Sequence, residues 1–149
     1  MDPSGIYREG FSSSWETKAI TTELARADVV GWLRNLDRKP WSLCVKRREG
    51  TKWVGIYPDF IVFRQTASGI VADIVDPHLI GDARAPERAQ ALAQYASDHS
   101  LYFGRIELLI YANETDTTGK RLNLLDEQVR AKVAAVSSHA HLQQLFETL

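Results

Sequence analysis

Between Pro40 and Asp76 the sequence drops helical spacing and alternates side-chain character in three successive stretches, which commits the middle of the chain to an antiparallel sheet. Ser42 to Arg48 sets Leu43, Val45 and Arg47 against Ser42, Cys44 and Lys46. Glu49-Gly50 signals a turn, Lys52 to Arg64 reads as a second strand, Ala67-Ser68-Gly69 turns again, and Ile70 to Asp76 is a third. Pro86 suits the first turn of a helix whose apolar face is Ala89, Leu92, Ala93 and Ala96, ending near Ser100. The largely apolar run Arg105 to Tyr111 then reads as a strand covered on both faces.

Ahead of the sheet, Ser13 and Glu16 have capping-box spacing, and Ile20, Leu24 and Ala27 continue one face, predicting a helix from Ser14 to Arg26. Residues 28–37 suit a helix or a short strand. After a polar loop at 113–119, Arg121 to Leu125 reads as a short strand and Val129, Val133 and Val136 mark a helix. Ser138 caps a last helix with the face Leu142, Leu145, Phe146 and Leu149. The expected fold class is α/β, a mixed sheet with helices packed on it.

A length of 149 residues predicts one domain, with 1–14 as a flexible lead and 15–149 as the folded unit. Eighteen basic residues against nineteen acidic ones give a net charge of −1, which excludes a broadly basic nucleic-acid coat but leaves room for a local patch. The single Cys44 excludes an internal disulfide and suits a reducing compartment. With no apolar run near the ~20 residues of a membrane span and no signal pattern, the expected address is cytoplasmic, away from membranes.

The candidate chemistry lies at two strand ends, Pro58-Asp59 and Asp76-Pro77-His78. If these strands pair, the two aspartates meet at one end of the sheet. Carboxylates that close repel unless a divalent cation lies between them, so one of their pKa values should rise in the metal-free protein. Replacing Asp76 by Asn should then leave stability unharmed. His78, two residues beyond Asp76, shares its face on a strand. The competing reading is that Asp and Pro simply end strands, and that Glu16 only completes its capping box.

The order of a helix acid, a PD pair and a short acidic-x-basic strand before a helix resembles the PD-(D/E)xK nuclease superfamily. Trp15-Glu16, Trp32-Leu33-Arg34-Asn35, Tyr57-Pro58-Asp59-Phe60 and Ile74-Val75-Asp76-Pro77-His78 together resemble the C-terminal nuclease-like domain of type III restriction-type helicases. The resemblance runs from about Trp15 to Asp126. It implies an αβββαβ core and cleavage of DNA dependent on Mg²⁺ or Mn²⁺. Glu16 would then match the helix acid, and Asp59 and Asp76 the metal-holding pair. Gln90 would be a polar residue of the following helix, and His78 stands where the general pattern has Lys. Lys46 could replace that lysine, against the alternative that it is a solvated edge charge. A helicase motor, on the same or another chain, is an implied partner. Gly119-Lys120 is no phosphate-binding loop, since Glu114 and Arg121 occupy its outer positions.

Other chemistries lack support. There is no G-x-S-x-G elbow, and His139 and His141 diverge on a helix. His99 reads as a helix C-terminal residue. The first half is rich in Lys and Arg, with Trp32, Trp41 and Trp53 among them, a pattern that suits either a surface tracking a DNA backbone or a core with solvated charges. The alternative to an enzyme is the same fold with catalysis lost, binding DNA or a partner protein.

Overall fold

The computed structural model describes residues 13–116 and 118–148. The expected lead lies outside these residues except for Ser13 and Ser14, as does Leu149. The elements run α1 (Ser14–Leu24), β1 (Val29–Arg34), β2 (Val45–Glu49), β3 (Lys52–Ile56), β4 (Phe60–Thr66), β5 (Gly69–Leu79), α2 (Ala85–His99), β6 (Phe103–Tyr111), β7 (Lys120–Asn123), α3 (Glu127–Ala134), α4 (His139–Gln143) and β8 (Glu147–Thr148). One six-stranded mixed sheet has the order β1-β4-β5-β6-β7-β8, and β2 pairs with β3 in a separate two-stranded ribbon.

Within the large sheet β1, β4 and β5 are antiparallel neighbours, and β6 lies parallel to β5. The parallel step needs a crossover, which α2 supplies. The mixed α/β expectation therefore holds. Within residues 28–37 the stretch Val29–Arg34 is a strand, and 52–64 is not one strand but two. Pro58 has no N–H to give a ladder, so the chain leaves the ribbon at Tyr57 and enters the large sheet at Phe60. Buried Asn35 ties that junction down, donating to the carbonyls of Leu43 (3.0 Å) and Pro58 (2.7 Å) while accepting from the Leu43 N–H (2.8 Å).

Strand alternation divides the core. Ile74, Ile106, Leu108 and Ile110 face α2 and the C-terminal helices, packing on Ala89, Leu92, Val133 and Leu142. Val75, Leu109, Phe60 and Val62 face α1, against Ala19 and Ile20. The result is three layers, helix, sheet and helices. On the α1 side Asp73 is fully buried and joins Arg64 of β4 to Arg105 of β6, which in turn reaches Glu23 of α1 at 2.5 Å. Gly104 lies under this network. A Cβ there would sit 2.7 Å from both Arg64 Nη2 and Asp73 Oδ1, so a side chain at this position must push the network aside.

Of the tryptophans, Trp15 and Trp32 pack against the α1-side core, whereas Trp41 and Trp53 are exposed. No described helix is long and apolar enough to cross a membrane.

Candidate metal centre

Asp59 is the last residue before β4, and Asp76 and His78 lie near the C-terminal end of the adjoining β5. The two-residue connection Ala67-Ser68, followed by Gly69 at φ 120°, fixes the β4–β5 register at Phe60 opposite Val75. That register carries Asp59 beside Asp76, and the Asp59 N–H donates to Asp76 Oδ1 at 3.0 Å. Asp76 and His78 share a face by alternation. One ligand atom from each of Asp59, Asp76 and His78 lies within 4.8 Å of the others.

The charges around this cluster are unequal. Asp76 is fully buried, and burial opposes its ionisation. The nearby His78, the Arg88 guanidinium at 2.9 Å and the Asp59 N–H outweigh that effect and hold its pKa below the usual carboxylate range. At Asp59 the charges of His78 and Arg34 offset burial only in part. Burial first, and then the Asp76 charge, push it up to about 7. His78 is depressed by burial but raised overall by Asp76, which lies 3.1 Å from its Nε2. That buried Nε2 has no well-directed hydrogen bond, while Asp82 lies 3.7 Å from its Nδ1.

The expected repulsion between the aspartates thus falls on Asp59, and the expectation for Asp76→Asn is corrected. Removing the Asp76 charge leaves half-buried Arg88 without this partner and weakens the hold on the Asp59 N–H. Asp59→Asn is the relieving substitution. A carboxyl whose folded pKa exceeds its unfolded value costs stability as pH rises from about 4 to 7, because the folded state must give up the proton less readily. His78, also raised, contributes stability at acid pH that is lost as pH rises through its folded value. Asp59→Asn is therefore expected to be more stable than wild type at pH 8, by up to about 4 kcal/mol, with the difference vanishing near pH 4. Urea titrations at the two pH values check this, and equal gains at both would refute the assignment.

Glu16 does not close its capping box by reaching back. Ser13 caps the Glu16 N–H, while the Glu16 carboxylate takes Arg34 Nη2 at 2.7 Å, and that same nitrogen is 3.8 Å from Asp59 Oδ1. Glu16 thus meets the cluster through Arg34. Two candidates do not join it. Lys46 is exposed on β2, in the separate ribbon, where its neighbours Val45 and Arg47 take the inward positions. Gln90 points away to the C-terminal helices and donates to the Val136 carbonyl at 3.0 Å. The sequence reading missed Arg34, Arg88 and Asp82. Arg88 had one signal, a cation in the first turn of a helix, where acids are favoured. An open cleft bordered by Trp15, His78, Leu79, Gly81 and Asp82 gives solvent access beside the cluster.

The YagJ family model matches residues 1–149, and the chain belongs to that family. Protein YagJ of Escherichia coli (strain K12) is 31% identical over 148 residues, covering 99% of this chain and 58% of that protein. The chain therefore spans less than two thirds of the curated relative that it matches. No solved structure matches it.

Proposed function

We propose that this member of the YagJ family is a divalent-metal-dependent DNA nuclease of the PD-(D/E)xK kind. The convergence of Asp59, Asp76 and His78 carries the reading. The order α1, β1, β4, β5, α2, β6 supports it, since it follows the αβββαβ sequence of that superfamily with the β2–β3 ribbon inserted after the first strand. The strings that resemble restriction-type helicase domains extend the proposal to a helicase motor as partner, on this polypeptide or another.

The donor set fits a cation. Two carboxylates and an imidazole suit Mn²⁺ at least as well as Mg²⁺, because the smaller ion prefers oxygen donors throughout. The buried, poorly bonded Nε2 of His78 is the kind of atom a cation would use, and Asp82 behind Nδ1 would orient the ring. A bound cation would supply an acidified water and offset charge on the leaving oxygen. The chain itself must release the Asp59 proton for the ion to enter. Arg34 brings a fixed positive charge to the same end of the sheet for a phosphate.

One observation favours a second reading, a non-catalytic binding module. Arg88 already neutralises Asp76, so the pair is satisfied without an ion. Thermal unfolding separates the two. Because Asp59 and His78 must shed protons, Mn²⁺ at millimolar concentration should raise Tm in wild type, more at pH 8 than at pH 6. The response should be lost in Asp59→Asn. Wild-type curves that superimpose with and without either ion at pH 8 would leave the binding module as the better account.

A further inference from the structure

The β2–β3 ribbon carries an outer face that the metal centre does not use. Trp53 is 69% exposed and stands directly across from Arg48, with Lys46 on the same face of the ribbon. Exposed Lys39 and Trp41 lie on the loop entering the ribbon, while Lys52 stands across from Glu49 on the other face. The inner face is different. Val45 and Ile56 pack into the core beneath α2, and Arg47 is paired with Glu87 at 3.0 Å and Glu49 at 3.3 Å. Glu49 is thus engaged with an inward-side cation, while Arg48 Nε bonds the Gly50 carbonyl. A flat aromatic surface framed by cations is exposed on a hairpin whose root is clamped by Asn35.

We propose that this ribbon is a wing that binds single-stranded DNA, with bases stacking on Trp53 and phosphates held by Arg48 and Lys46. Charge complementarity names a polyanion. The exposed indole names an unpaired strand, because a duplex keeps its base faces stacked internally. Trp53 is six residues from Asp59 along an extended path, so the wing lies within ~20 Å of the carboxylates. The proposal rests on the preceding reading only for DNA as the ligand, and needs no metal.

Fluorescence anisotropy with labelled oligo-dT and a hairpin duplex, both at low salt in EDTA, tests it. Wild type should bind oligo-dT more tightly than the hairpin. Trp53→Ala should lose roughly tenfold in affinity for oligo-dT, while Trp53→Phe keeps most of it. Arg48→Ala should weaken binding and reduce the dependence of log K on log salt by about one unit. Trp53 is exposed, so its variants should melt as wild type does. Equal affinity of Trp53→Ala and wild type for oligo-dT, or a hairpin bound as tightly as oligo-dT, overturns the wing. Metal-dependent cleavage without wing-dependent binding would sink this proposal and spare the nuclease. Wing-dependent binding without any metal response would do the reverse.

Discussion

Asp73→Ala is expected to lower the unfolding free energy by about 3–5 kcal/mol, the largest stability loss of any single charge removal in the protein. Asp73 has no solvent exposure, and its two oxygens take Arg64 and Arg105 from the strands on either side. Without it, two guanidinium groups face each other across the space it filled. Arg105 keeps Glu23 and Glu107, and Arg64 keeps Asp28, but none of these bridges the two cations. Gly104→Ala should act in the same direction through crowding alone. Urea unfolding of both single variants and the double variant measures the coupling, and the two losses should be far from additive because they disrupt one network. A loss below about 1 kcal/mol for Asp73→Ala would mean that the arginines reach water on their own, and that the network adds little.

The second large effect concerns the chemistry. If the proposed nuclease reading holds, Asp59→Asn and His78→Ala should each remove most of the metal-dependent DNA cleavage. Asp59→Asn is the sharper test, since it is expected to fold at least as well as wild type at pH 8, and lost activity cannot then be blamed on instability. Wild-type cleavage should rise with pH through about 7, as the Asp59 proton is released. Cleavage that persists at wild-type rate in Asp59→Asn would remove the carboxylate pair from the mechanism. Gln90→Ala should weaken the attachment of α3 while leaving the metal dependence of any cleavage in place, because its amide bonds only reach that helix and the turn after it.

What could be read from the sequence was local. The two-residue turn at Ala67-Ser68 and the alternation on either side set the β4–β5 register, and with it the approach of Asp59 to Asp76. Pro86 and Ser138 marked helix starts, and Ser138 does accept the N–H expected of a cap, whereas the cap at Asp126 was not read from the sequence. The partners of the charged residues were not legible. Glu23 and Arg105 are 82 residues apart, and Glu16 and Arg34 meet only after α1 has docked on the sheet. Spacing patterns report which face a residue occupies, not which distant side chain will share it. The break at Pro58 was legible in principle, since proline has no N–H to give a strand ladder, but the alternation on both sides of it hid the change of sheet.

The β4–β5 hairpin has a kinetic consequence. Closing a two-residue loop costs little chain entropy, whereas pairing β5 with β6 must wait for the whole α2 crossover to be ordered. Asp59 and Asp76 therefore come together with the hairpin, early in folding, before the helix that carries Arg88 has docked to offset their repulsion. Above about pH 4 both acids enter the hairpin ionised and repel, unless one takes up a proton as the strands pair. Refolding should accordingly be faster at pH 5 than at pH 8, and Asp59→Asn should remove most of that difference.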